Sequence, residues 1–172
     1  MKVFGLAGWS GSGKTTLLTR LIPVLTGRGL AVSTIKHAHH GFDMDERGKD
    51  SYEHRQAGAK EVLITSARRW ALMHELRDEP EPTMADLIPR MTPVDLLLVE
   101  GFKRHDHAKL EVYRAAVRKP LLCHEDPNII AVASDGPIEG LALPRLDLDD
   151  VDGIGDFIIA HCGLPRSRRG AA

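Results

Sequence analysis

The chain has 172 residues, of which 42% are hydrophobic and 27% charged, and its formal net charge is −1. These values suit one soluble α/β domain with a full core, and the near-neutral charge argues against a dedicated nucleic-acid binder. No apolar run approaches membrane-spanning length. No signal peptide is expected, because the apolar start at 1–6 runs directly into a glycine-rich loop. The two cysteines, Cys123 and Cys162, form no metal-type pair and are expected to be the reduced thiols of a cytoplasmic protein.

The pattern predicts a short buried strand over Lys2 to Ala7. Gly8-Trp9-Ser10-Gly11-Ser12-Gly13-Lys14-Thr15 follows, and a helix runs from Lys14 to Arg28, with Leu17, Leu18, Leu21, Ile22 and Leu25 on one face. Pro23 is expected to kink that helix. Strand, G-x-x-x-x-G-K-T loop and helix together are the signature of a phosphate-binding P-loop. Its glycines let successive amides point at one phosphate. The first helical turn adds unpaired N–H groups and the positive end of the dipole. The expected nucleotide contacts are Gly8, Ser10, Gly11, Ser12, Gly13, Lys14, Thr15 and Thr16. Lys14 reaches the terminal phosphates, and the hydroxyl of Thr15 is a candidate Mg²⁺ ligand.

A second strand is predicted over Ala31 to Lys36. A long polar loop follows from His37 to Asp50, and its length points to function. A short helix capped by Asp50 or Ser51 is expected from Ser51 to Gly58, then strands over Glu61 to Thr65 and Trp70 to His74, joined by a turn. The Glu79 to Pro82 segment breaks the pattern, and Thr83 caps a helix to about Arg90. Asp95 to Gly101 reads as a buried parallel strand, Lys109 to Arg114 as an alternating one, and Ile129 to Ala133 as another apolar strand. Val151 to Cys162 closes the chain as a helix. Residues 1–163 read as a single P-loop domain, and the basic stretch 164–172 as a disordered tail. The fold expected is α/β, P-loop NTPase-like, with three layers and a mostly parallel sheet. The stretch from Glu61 to His74 breaks the strand–helix alternation, so the sheet is expected to be mixed.

Glu100 ends its strand at the carboxyl edge, where ligands gather in parallel sheets. It is a candidate for the Mg²⁺ shell beside Thr15, against the alternative of a strand-end surface charge. Gly101 can place an amide near a terminal phosphate. Asp95 lies about 15 Å away at the other end of the strand and cannot share the site. The polar loop offers Lys36, His37, His39, Arg47, Lys49 and Arg55 to a second, anionic ligand. A metal on its histidines is an open alternative, although their spacing is not a standard zinc pattern. After Gly101, Lys103 and Arg104 are further candidate anion contacts, ahead of His105 and His107 as ligands. No Asn/Thr-Lys-x-Asp guanine motif occurs. Asp135 stands where such an aspartate would, after a late apolar strand, and reads equally as a turn residue.

Several of these segments together resemble the molybdopterin-guanine dinucleotide biosynthesis protein B (MobB) family. They are Gly-Trp-Ser-Gly-Ser-Gly-Lys-Thr-Thr-Leu at 8–17, Thr-Ile-Lys-His-Ala-His-His at 34–40 and Gly-Lys-Asp-Ser-Tyr-Glu-His-Arg-Gln-Ala-Gly-Ala at 48–59. Leu-Leu-Leu-Val-Glu-Gly-Phe-Lys at 96–103, Leu-Glu-Val-Tyr-Arg at 110–114 and Ala-Val-Ala-Ser-Asp at 131–135 complete the pattern. The resemblance implies a dimeric GTP-binding accessory protein, a weak GTPase at most, in molybdenum cofactor maturation. It would assist the guanylyltransferase (MobA) that joins molybdopterin to GMP. GTP and Mg²⁺ would occupy the P-loop, and the loop at 36–56 would hold or gate molybdopterin or its guanine dinucleotide. Two other readings stay open from the residues: a small-molecule kinase, which would need a lid of arginines, and a metal-insertion GTPase using the histidine loop.

Overall fold

The computed structural model describes residues 1–38, 41–102 and 105–165. Its described elements, in chain order, begin with β1 (Lys2–Ala7), α1 (Lys14–Gly27), β2 (Val32–Lys36) and α2 (Asp50–Gln56). They continue with β3 (Glu61–Thr65), β4 (Trp70–His74), α3 (Met84–Leu87) and β5 (Leu96–Glu100). The last four are β6 (Lys109–Tyr113), β7 (Ile129–Ser134), β8 (Arg145–Asp147) and α4 (Val151–Cys162). A short 3-10 turn extends α3 over Ile88–Arg90.

The chain divides into two compact units: one of 1–37 and 92–172, the other of 38–91. The second unit is thus an excursion between β2 and β5, inside the span read as one domain.

The first unit is built on a six-stranded sheet of order β2-β5-β1-β6-β7-β8. Every pairing in it is parallel. The antiparallel character expected of the 61–74 stretch is present, but it belongs to the second unit: β3 and β4 pair only with each other. Central parallel strands must be apolar on both faces, and Leu96, Leu97, Leu98 and Val99 of β5 are all fully buried. Leu17, Leu18, Leu21 and Leu25 of α1 and Ile154, Ile158 and Ile159 of α4 join Phe4, Leu6, Leu98 and Leu110 in one core. Burying a residue of this kind contributes about 1.5–3 kcal/mol, so the core holds the sheet and these two helices together.

Thr83 caps α3 as expected, whereas α2 begins after Lys49 with no side-chain cap, so neither Asp50 nor Ser51 caps it. The Asp150 side chain accepts the amide of Gly153 at the start of α4, and Gly163 ends it in the left-handed conformation. Asp95, at the amino end of β5, accepts the amide of Ala31 at 2.8 Å. It is a structural aspartate, remote from the carboxyl edge, as expected.

In the second unit Leu63 and Leu72 are cross-strand partners, as are Thr65 and Trp70. Leu63, Trp70 and Leu72 are all exposed. By strand alternation they share one face of the hairpin. The opposite face carries Val62, which is buried.

Candidate functional site

The P-loop joins β1 to α1 at the carboxyl edge of the sheet. Gly8 (φ 143°) and Gly13 (φ 97°) hold backbone conformations that side chains rarely adopt. At Gly8 the approach is also close, because an added Cβ would lie 2.6 Å from the carbonyl oxygen of Val112. Gly13 directly precedes α1, so no side chain caps the helix and its first amides are left for a ligand. The Nζ of Lys14 donates to the carbonyls of Gly8 (2.9 Å) and Trp9 (3.0 Å), which curls the loop around the ammonium. Ser12 is buried, and among the described residues its hydroxyl has no hydrogen-bond partner.

Register assembles the rest. Leu6 of β1 and Lys36 of β2 both pair with Glu100 of β5, so three strand ends stand level beside the loop. The hydroxyl of Thr15 donates to Glu100 Oε1 at 3.3 Å. Lys36 Nζ lies 4.0 Å from Glu100 Oε2. Ser10, Gly11, Gly13, Lys14, Thr15, Thr16, Lys36 and Glu100 line a cavity of about 400 Å³. The cavity therefore gathers two ammonium groups, a ring of loop amides, two hydroxyls on α1 and one carboxylate. Thr15 and Glu100 form an all-oxygen pair of the kind hard cations take, beside donors suited to phosphate. That donor set fits Mg²⁺ bound with a polyphosphate.

Gly101 follows in a left-handed conformation (φ 95°), and a Cβ there would lie 2.8 Å from the Cβ of His37. The ring of His37 packs on Phe102, with centroids 4.8 Å apart, and Phe102 packs in turn on His105. His39, Lys103 and Arg104 fall outside the described residues. Among those described, no group of three or more histidines, cysteines, aspartates or glutamates is placed to hold a metal.

The remaining predicted contacts lie in the second unit, where charge pairing decides what each can do. Arg55 is enclosed by Asp43 (2.9 Å), Asp45 (3.4 Å) and Glu75 (2.9 Å), with only a tenth of its side chain exposed. The Glu75 and Asp43 carboxylates hold its guanidinium charged and push its pKa up. Its hydrogen bond to Asp43 in turn lowers the pKa of that carboxylate. The guanidinium also lies over the Tyr52 ring. Arg55 is therefore an anchor of its own unit, whereas the sequence alone reads it as an open cation. Lys49 keeps its ammonium exposed, 3.9 Å from Glu46. Arg47 is exposed as well.

Sequence reasoning passes over two features of this edge. Arg114 Nη1 donates to Asp135 Oδ2 at 3.1 Å, so the candidate base reader has a charged partner. Glu111, fully buried in β6, accepts the amides of Leu122 and Cys123 at 2.8 and 2.9 Å. Alternation in Leu-Glu-Val-Tyr-Arg suggests a half-exposed strand, and only a charge buried at its centre would have signalled that second role.

A parallel sheet with a glycine-rich phosphate loop after its first strand, and a carboxylate on the strand beside it, defines a P-loop NTPase-like protein. The sequence pattern of the family described as "Molybdopterin guanine dinucleotide synthesis protein B", MobB, matches residues 3–135. The "molybdopterin-guanine dinucleotide biosynthesis adapter protein" of Escherichia coli (strain K12) is 47% identical over 160 residues, which cover 91% of each chain. The protein so described in Haemophilus influenzae is 41% identical over 91% of this chain and 86% of its own. A crystal structure of a molybdopterin-guanine biosynthesis protein B superposes with a TM-score of 0.74 at 28% identity, covering 94% of this chain and 99% of the other. The chain belongs to the MobB family, and so to molybdenum cofactor biosynthesis, in an accessory role. Among the described residues no helix is long and apolar enough to cross a membrane.

Proposed function

We propose that this chain binds GTP with Mg²⁺ at the P-loop and acts as an adapter for the guanylyltransferase (MobA) that builds molybdopterin-guanine dinucleotide. The observation that carries the reading is the meeting of Lys14, Thr15, Lys36 and Glu100 around one cavity. Gly8, Ser10, Gly11, Ser12, Gly13 and Thr16 supply the loop and helix contacts, and Gly101, which directly follows Glu100, offers its amide to a terminal phosphate. Bound Mg²⁺ would neutralise phosphate charge, and Thr15 and Glu100 would hold it there. Lys36, grouped by sequence with a second-ligand loop, belongs to the phosphate end of this cavity.

Hydrolysis is slow in this reading. Glu100 is the carboxylate lining the cavity, and it already accepts from Thr15 and faces Lys36, so it is a poor base for activating water. The exposed cations of the polar loop, Lys49 and Arg47, suit the phosphate of molybdopterin or its guanine dinucleotide. The apolar hairpin face of Leu63, Trp70 and Leu72 suits a homodimer contact. The protein is expected to work in the cytoplasm, where the partner enzyme and GTP would be available.

The test is reconstitution. Purified guanylyltransferase, molybdopterin and GTP are assayed for guanine dinucleotide with and without this chain. Stimulation that Lys14→Ala abolishes supports the proposal. Stimulation that Lys14→Ala leaves intact removes nucleotide binding from the adapter's role.

A further inference from the structure

The P-loop has two flanks, and their chemistry differs. On one flank β2 and β5 bring Lys36 and Glu100 level with the end of β1. An ammonium and a carboxylate suited to Mg²⁺ belong beside the terminal phosphate. A bound nucleoside then leaves the loop towards the other flank, where β6 and β7 end. Tyr113 pairs there with Ser134, so the residues that follow, Arg114 and Asp135, emerge together.

Their side chains meet at 3.1 Å and are each about one-third exposed, at 36%. Arg114 also backs the P-loop itself, because a Cβ added to Gly13 would lie 3.3 Å from its Nε. A cation beside the first turn of α1 opposes the helix dipole. The Asp135 carboxylate offsets that opposition. The segment after Arg114 is fastened at two further points. Trp9 Nε1 donates to the carbonyl of Pro120 at 2.8 Å, and buried Glu111 grips the amides of Leu122 and Cys123. Arg114 therefore leaves β6 between a paired strand and a tethered turn.

We infer that Arg114 is a positioning residue that fixes the Asp135 carboxylate to read the nucleotide base, an inference that rests on the GTP reading. A carboxylate offers about four acceptor sites on its two oxygens. One bond from Arg114 leaves enough of them to accept both N1–H and the 2-amino group of guanine. The bond also restrains the rotation of a side chain that would otherwise sample several orientations in water. Adenine presents an acceptor at N1 and no 2-amino group, so it gains nothing from the fixed carboxylate.

The experiment is equilibrium binding of GTP, ATP, xanthosine triphosphate and inorganic tripolyphosphate, each with Mg²⁺, to the full chain and its variants. Arg114→Ala is expected to cut the GTP-over-ATP preference by about tenfold, the scale of one charge-assisted contact. Tripolyphosphate affinity should fall less than GTP affinity, because Arg114 stands beside Gly13 as a cation but acts on the base through Asp135. Asp135→Asn should lose the same preference and shift it towards the xanthine nucleotide, whose oxygen an amide can serve as donor. Arg114→Lys should recover part of the wild-type ratio. The double variant should be no worse than Asp135→Asn alone, because Arg114 acts through that carboxylate. A ratio unchanged in Arg114→Ala, additive losses in the double variant, or tripolyphosphate affinity falling in step would each overturn the inference. A wild-type chain with no base preference overturns the guanine reading and this one together. A GTP preference that survives Arg114→Ala overturns this one alone.

Discussion

The hydroxyl of Thr15 and the carboxylate of Glu100 are 85 residues apart in the chain and 3.3 Å apart in space. Two adjacent parallel strands create that proximity, since β1 delivers the P-loop and β5 ends level with it. An uncharged hydroxyl and a mostly buried carboxylate in this position offer two oxygens to a hard cation, to which phosphate oxygens and waters would add.

Glu100→Gln keeps the shape of the side chain and removes its charge. GTP affinity measured with Mg²⁺ should fall about tenfold or more, and affinity in EDTA should change little. Equal losses in both buffers would show that Glu100 supports the loop and not the metal.

Arg55 and Lys49 differ in burial, so their substitutions are expected to act differently. Arg55→Ala leaves three carboxylates without their shared cation, so thermal unfolding should begin at a lower temperature. Lys49→Ala, on an exposed side chain, should alter stability by no more than about 0.5 kcal/mol. It should lower stimulation of guanine dinucleotide formation while leaving GTP affinity unchanged. Undiminished stimulation in Lys49→Ala would move the anionic ligand to another surface.

Two histidines give the fold opposite pH dependences. His107 is buried, its ring nitrogens have no partner among the described residues, and a Cβ on Gly5 would lie 2.4 Å from its Nε2. Burial first, and then the Lys109 and His105 charges, push its pKa down to about 4, while Asp126 opposes the shift. As pH falls from 6.5 to about 4, the unfolded chain takes up a proton that the folded chain does not, so this group's contribution to stability is lost over that window. His107→Leu should flatten that part of a melting-temperature profile. His74 lies between Glu61 (2.7 Å) and Glu79 (3.2 Å), and hydrogen bonds to both carboxylates raise its pKa. Its contribution is full below 6.5 and is lost as pH rises through the raised value. His74→Gln should remove that loss on the alkaline side, and an unchanged profile would contradict the pairing.

Local signals carried much of this molecule. β1, β3, β4 and α4 lie where their residue patterns put them. β8 escaped the sequence reading. It is a three-residue edge strand after Pro144, paired on one side only, and too short for any period to show. The separate β3–β4 sheet was also illegible, and the mixed sheet expected from that stretch is wrong, since strand patterns in Glu61 to His74 specify pairing but not the sheet joined. Lys36 and Glu100 could be placed at one edge from strand order alone. The enclosure of Arg55 could not be foreseen, because a polar loop written as alternating charges looks the same whether its ions face water or one another. Arg114 and Asp135 meet through the register of β6 and β7, which composition does not encode.

The most direct measurement is calorimetric titration of Mg²⁺-GTP into the wild-type chain and into Lys14→Ala. The account predicts saturable binding by the wild type. It predicts a loss of about 1.5–3 kcal/mol in the variant, the scale of a hydrogen bond to a charged group, or roughly tenfold to a hundredfold in Kd. Equal affinities in the two proteins would contradict it, because the cavity around Lys14, Thr15, Lys36 and Glu100 would then not be where the nucleotide binds.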